Sequence, residues 1–316
     1  MGPYRYALHP PMAPILLMPL ALLWGMETPQ TAFTIFLGAV DVALAWALLG
    51  RFRLDVNARV WWTLFFGLGT CFWYETIKGT TWALPMIAAV LFTLAALIEA
   101  FGKARPFWLG WFAALATLTR YDLALCAPSI AGLALLRGRR IREVLWMAPG
   151  FLAVGVFFVL FNLARYDSFF DMGIPIQGPQ DQPTFSLQYL PVNLYTIFFI
   201  APGFDGRFPY VHPNGMGQAI PLSSPAFALA LRPSFRRPET WLMWAAALLG
   251  SLASLLCYAT GYEQFGTRHY IQVFPFLLVL LALGAHRADQ LAKILIGTSI
   301  ALIAFGVWHI QTWGFG

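Results

Sequence analysis

Long apolar runs separated by short polar links dominate the chain. Runs able to form bilayer crossings lie near 31–50, 60–74, 81–98, 107–119, 123–136, 144–164, 219–231, 241–260, 269–285 and 294–313. A hydrocarbon core of about 30 Å needs about 20 helical residues, and several of these runs are shorter. The pair 107–119 and 123–136 is the clearest case, because 13 residues at about 1.5 Å each reach only about 20 Å. This pair predicts a helical hairpin whose tip, Arg120-Tyr121-Asp122, lies below the membrane surface among other helices. A polar turn is tolerated at that depth only where protein or a water-filled cavity surrounds it. The run 12–25 is short and follows Pro10 and Pro11, with Pro14 and Pro19 inside it, so it reads as an interfacial or re-entrant helix. The predicted fold is all-α: one integral membrane domain over 1–316, with about ten spans and an N-terminal interfacial helix within an outer segment 1–30. A long outer loop, 166–218, is rich in Pro, Gly, Asn and Asp; loops of this length are uncommon unless they serve a function.

Composition excludes a soluble globular domain. The chain is 59% hydrophobic and 11% charged, against about 45–50% and about 25% for soluble domains. The 13 Trp, 11 Tyr and 28 Phe suit a lipid-facing protein with aromatic belts. Net charge is +6, but it is spread over short links, so nucleic acid is not the expected partner. One set of links holds Arg51, Arg53, Arg59, Lys103, Arg105, Arg137, Arg139, Arg140, Arg142, Arg232, Arg236, Arg237, Arg287 and Lys293, which is 14 of the 20 basic residues. The positive-inside rule makes this set cytoplasmic and puts the acid-rich alternate links, with residues 1–30, outside. Cys71, Cys126 and Cys257 fall in apolar runs, with no spacing that suggests a metal site or a disulfide.

Three stretches carry a resemblance. They are Tyr4 to Pro19 (YRYALHPPMAPILLMP, followed by Leu23-Trp24-Gly25), Leu118 to Asp122 (LTRYD) and Phe265 to Leu277 (FGTRHYIQVFPFL). In order, spacing and shared side of the membrane, they resemble the GT-C class of membrane glycosyltransferases, which includes protein O-mannosyltransferases and the bacterial lipid A aminoarabinose transferase. The resemblance implies inverting transfer of a sugar from a polyprenyl-phosphate donor to a glycan, lipid or protein acceptor. It implies a bacterial plasma membrane, with the active face outside the cytoplasm. No cofactor is required by any motif, and the resemblance leaves a divalent cation open. In that class the catalytic acid precedes the Pro-Pro stretch, after a first membrane helix. Here Met1 stands nine residues before Pro10, and no Asp or Glu precedes Glu27. The expectation is therefore that the first helix and its catalytic loop are missing from this chain.

The candidate chemistry lies on the outer side. Arg120 and Arg268 are the expected contacts to the donor phosphate, since a guanidinium fits phosphate oxygens and stays charged when partly buried. Asp122 would orient Arg120 or act as the acid–base group, although an Arg–Asp pair can also simply neutralise itself. Glu75, in an outer loop with Lys78, could serve as general base or metal ligand; a Glu at i with a Lys at i+3 is also an ordinary surface pair. His9, Lys78, His269 and Tyr270 are the expected cavity-lining residues. Asp41, in mid-run, must face the bundle and find a partner or stay protonated. Asp167, Asp171, Asp205 and His212 read first as loop and turn residues. Two other functions fit the same features: a non-catalytic lipid-phosphate-binding or export-associated membrane protein, and a secondary transporter. No repeated halves support the transporter.

Overall fold

The computed structural model describes residues 10–169 and 182–314. In chain order the helices are α1 (Met12–Trp24), α2 (Gln30–Leu49), α3 (Val56–Leu68), α4 (Phe72–Lys78), α5 (Ala83–Ala100), α6 (Pro106–Thr119), α7 (Ala127–Leu136), α8 (Ile141–Val144) and α9 (Ala148–Tyr166). After them come α10 (Leu190–Phe198), a two-stranded hairpin of β1 (Gly203–Phe204) and β2 (Val211–His212), then α11 (Ile220–Ser223), α12 (Pro238–Leu256), α13 (Phe274–Gly284) and α14 (Gln290–Trp313). Five helical segments are long and apolar enough to cross a membrane: α2, α5, 141–166, α12 and α14. The molecule is helical, with almost no sheet.

Three of the other expected spans are interrupted, each for a local reason. The run 60–74 breaks at Gly69, and Thr70 accepts the Phe72 amide at 3.3 Å, so α3 ends and α4 begins. The run 219–231 is a four-residue helix and a 3-10 segment, Pro225–Leu231, not a regular span. Ser224 precedes Pro225 and is held at φ −140°, ψ 63°, outside the helical region, as the proline ring requires. The run 269–285 starts as a 3-10 turn, Arg268–Val273, and becomes α-helical only at α13, where Pro275 takes a position that needs no amide hydrogen. The loop 166–218 is also less irregular than its composition suggests, since α10 and the β1–β2 hairpin lie within it.

Helix α5 is the centre of the bundle. It has no charged residue before Glu99, and 72% of its apolar window is buried, against 22% for 141–166, which leaves its sides free for lipid. The basic links meet at one end. Glu99 takes the Arg105 guanidinium in a two-pronged pair at 3.0 and 2.8 Å, Arg139 donates to the carbonyls of Ala104 and Lys103, Arg232 pairs with Asp289 at 2.8 Å, and His286 meets the Arg53 carbonyl. Two helices start at this end under carboxylate caps: Asp55 accepts from the Ala58 amide and Asp289 from that of Ala292. At the opposite end lie the starts of α2 and α5, the ends of α6 and α12, and the segment leading into α13. Gly79 illustrates how tightly that end is closed. It caps α4 at φ +56°, and an added Cβ would come within 2.5 Å of the Thr31 Cα.

Candidate active site

The α6–α7 turn forms the floor of the site. Helix α6 ends at Thr119, and Arg120 turns extended at φ −145°, ψ 107°, before a 3-10 segment, Tyr121–Cys126, leads into α7. This is the expected hairpin tip, packed among other helices against α12 and the segment before α13. The Arg120 guanidinium donates to both oxygens of Asp122, at 3.4 and 3.0 Å, and to Ser254 Oγ at 3.4 Å on the last turn of α12. Gln272 donates to Asp122 Oδ2 at 3.2 Å and to the His269 carbonyl at 2.7 Å. Ser254 also donates to that carbonyl, at 3.2 Å. Asp122 is thus enclosed, its side chain 6% exposed, with both oxygens occupied by fixed donors. Three donors reach Asp122, one on Oδ1 and two on Oδ2, and tie it to Arg120 and Gln272.

Arg268 opens the 3-10 turn on the far side of this network. Its amide donates to Gln264 Oε1 at 3.2 Å, while Gln264 Nε2 donates to the Met216 and Thr260 carbonyls at 2.7 and 3.0 Å. The backbone at Arg268 is thereby fixed, but its side-chain Nε is buried without a hydrogen-bond partner. His269 follows, and its Nε2 is also buried and unpartnered. Both guanidiniums, Arg120 and Arg268, act electrostatically on this ring.

Glu75 corrects the expectation of an exposed loop carboxylate. It sits on α4, fully buried, and neither carboxylate oxygen has a hydrogen-bond partner. Burial pushes its pKa up to about 7, against the opposing pull of Arg268 and Lys78. Lys78, on the next turn, donates to the Glu263 carbonyl and lies over the Tyr74 ring. Helix α4 contacts the 268–273 turn, so Glu75, Lys78, Arg268 and His269 share one end of the bundle with the Arg120 network.

Other expected residues lie elsewhere. Tyr270 is 6% exposed and packs within the main apolar core, where three residues per 3-10 turn put it on the face of Val273. Asp41 is fully buried on α2 with both oxygens unpartnered. His9 and Asp171 lie outside the described residues. Asp205 accepts the Arg207 amide in a tight turn and stands 3.8 Å from His212. Among the described residues no group of three or more His, Cys, Asp or Glu could hold a metal ion. Gln264, Gln272 and Ser254 escaped the reading of the sequence. The one available signal was the cost of an amide inside an apolar run, which demands a partner.

The fold defines an integral membrane protein with a buried polar site at one end of its helices. Residues 7–258 match the model of glycosyltransferase family 87, and the chain belongs to that family. Membership carries glycosyltransferase activity in general. The match spans Glu75, the Arg120 turn and Ser254, and it ends before the Gln264–Gln272 segment. Neither the curated proteins nor the solved structures contain a match to this chain.

Proposed function

We propose that the protein transfers a sugar from a polyprenyl-phosphate donor to an acceptor hydroxyl, with inversion, at the outer face of the membrane. The observation that carries this reading is Glu75: a fully buried carboxylate with two free oxygens, poised near neutrality, at the same end as two guanidiniums. A general base works best with a pKa near the operating pH. Glu75 takes the proton of the acceptor hydroxyl. The acceptor oxygen attacks the anomeric carbon, and the bond from that carbon to the phosphate oxygen breaks. The electron pair leaves with the phosphate, whose growing negative charge is held by Arg268 and Arg120, fixed donors in a site of low dielectric. Arg120 is held in place by Asp122 and Ser254, so little reorganisation is needed at the moment of reaction. His269, between the two guanidiniums, stays neutral and hydrogen-bonds a sugar hydroxyl; Lys78 adds positive charge at the mouth.

The test is sugar transfer in vesicles containing a polyprenyl-phosphate sugar, comparing wild type with Glu75→Gln and Arg268→Ala. Unchanged turnover in both variants rejects the assignment. A second reading is favoured by the same guanidinium pair: a non-catalytic binder of lipid phosphate. It predicts retention of the donor by wild type and by Glu75→Gln, with no turnover in either.

A further inference from the structure

The β1–β2 hairpin turns three aromatic rings largely outward. Phe204, Phe208 and Tyr210 are each more than half exposed. Large apolar rings grouped in the open mark a surface that meets an apolar partner.

Ring contacts fix where this group stands. Phe208 lies edge-on to Tyr210 at 5.9 Å and to Trp313 at 5.7 Å, and Trp313 lies edge-on to Trp308 at 4.6 Å. Both tryptophans are nearly half exposed on α14. That helix is a membrane-crossing candidate, and it starts among the basic links, where Asp289 pairs with Arg232. Its 24 residues reach about 36 Å, slightly more than a hydrocarbon core of about 30 Å. Trp313, the last of them, therefore stands at the interface opposite the basic links, and Trp308 lies about 7.5 Å deeper. Trp308, Trp313, Phe208 and Tyr210 thus make one exposed row that begins inside the bilayer and ends on the hairpin. The inner side of the hairpin is held differently. His212 meets His309 of α14, a buried residue, at 3.3 Å, and Asp205 accepts the Arg207 amide at 2.6 Å and stands beside His212.

We propose that the hairpin is an interfacial anchor, with Phe208 and Tyr210 set among the phospholipid headgroups as a continuation of the α14 aromatic belt. A ring in contact with Trp313 shares its depth, and the headgroup zone favours aromatic side chains. The partner is the lipid surface and not a soluble glycan, because the rings continue a row already in contact with lipid. The anchor would hold 203–212 down on the membrane, with the His212–His309 contact fixing its inner side.

The test measures the depth of the hairpin tip in the full-length protein in phospholipid nanodiscs. A nitroxide is attached through Gly206→Cys in a Cys257→Ser background, with Cys71 and Cys126 buried. A Cβ at Gly206 meets nothing within 4 Å, so the label leaves the rings in place. Collisions with oxygen, which concentrates in the bilayer, are compared with those of a water-soluble nickel chelate. Oxygen should dominate, and the preference should be lost when Phe208→Ser and Tyr210→Ser are combined. A label dominated by the chelate from the start would leave the rings in water for a soluble partner and overturn the proposal. A label shielded from both reagents would show a face covered by protein and overturn it equally, as would an oxygen preference that survives loss of both rings. The readout is depth and not turnover, so it stands apart from the proposed transfer reaction.

Discussion

Glu75 is held where its charge is costly, and that cost gives it an identifiable signature. The fold favours the protonated form, since burial lifts the pKa from 4.5 to about 7. Below 4.5 folded and unfolded chains both hold the proton, and the group is neutral in its effect on stability. As pH rises toward 7 the unfolded chain ionises first, so stability falls across this window and levels off above it. Glu75→Gln should therefore melt like wild type near pH 4 and be more stable at pH 8, by roughly 3 kcal/mol, in detergent-solubilised protein. Transfer activity should move the other way. The variant should lose on the order of 10²–10⁴ in kcat, the usual worth of a general base, while the wild-type rate should rise with pH through about 7. A substitution that stabilises the fold and abolishes turnover marks a functional group, whereas a structural one would lose both. At Arg268 the unpartnered Nε predicts that Arg268→Lys keeps the charge but loses the forked contact, raising KM for the donor about tenfold. Both arginines could be singled out in the sequence, Arg120 at the tip of a hairpin too short to cross a bilayer and Arg268 at the head of an apolar run. Gln272 and Ser254 could not, because neutral polar side chains inside helices are commonplace and usually bond their own backbone. The burial of Glu75 could not be read either, since it depends on α4 closing against α2, a contact without a local signal.

Between elements, glycines set how closely helices approach, and two of them separate stability from function. An added Cβ at Gly110 would fall 2.2 Å from the Met147 carbonyl oxygen, and one at Gly150 would fall 2.8 Å from the Gly110 backbone. Here α6 and the start of α9 pass backbone to backbone, the close approach that small residues allow in membranes. Backbone cannot rotate away, so Gly110→Val should cost several kcal/mol of stability, seen as a lower melting temperature, with activity per folded molecule kept. At Gly38 the clash is with Thr76 Cγ2 at 2.3 Å, one residue from Glu75. Gly38→Val should push α4 outward and lower kcat per folded molecule, with a smaller loss of stability. An equal kcat in this variant would show that the position of α4 is immaterial to the reaction. Helical periodicity and apolar length placed most elements correctly along the chain. What they misjudged were breaks made by Gly69, Pro225 and Pro275, where an uninterrupted apolar run conceals a change of helix type. Hydrophobicity reports what is buried, and it is indifferent to whether the backbone beneath is one helix or two.

Across the whole molecule, charge separates into two ends, and the separation has a different origin at each. At the basic end the arginines are occupied by structure: Arg105 with Glu99, Arg139 with two carbonyls, Arg232 with Asp289. At the other end Arg268 keeps an unpaired buried Nε, and Glu75, on which it acts electrostatically, has no hydrogen-bond partner. Ion pairs at an exposed surface contribute little to stability, so the basic end is better explained by insertion, in which short links rich in Lys and Arg stay on the cytoplasmic side. We therefore expect Arg236 inside and Glu263 outside. Both are exposed, at opposite ends of α12 and of the segment that follows it. In a Cys257→Ser background, with Cys71 and Cys126 buried, Glu263→Cys in intact cells should react with a membrane-impermeant maleimide, and Arg236→Cys should react only after permeabilisation. The reverse pattern would place Arg120, Arg268 and Glu75 against the cytoplasm and end the outer-face reading of the reaction. It would leave the geometry of the site intact, because the hydrogen bonds around Asp122 are indifferent to which side they face. Orientation is thus the property on which the choice of donor turns, and it is set by fourteen basic residues far from the chemistry.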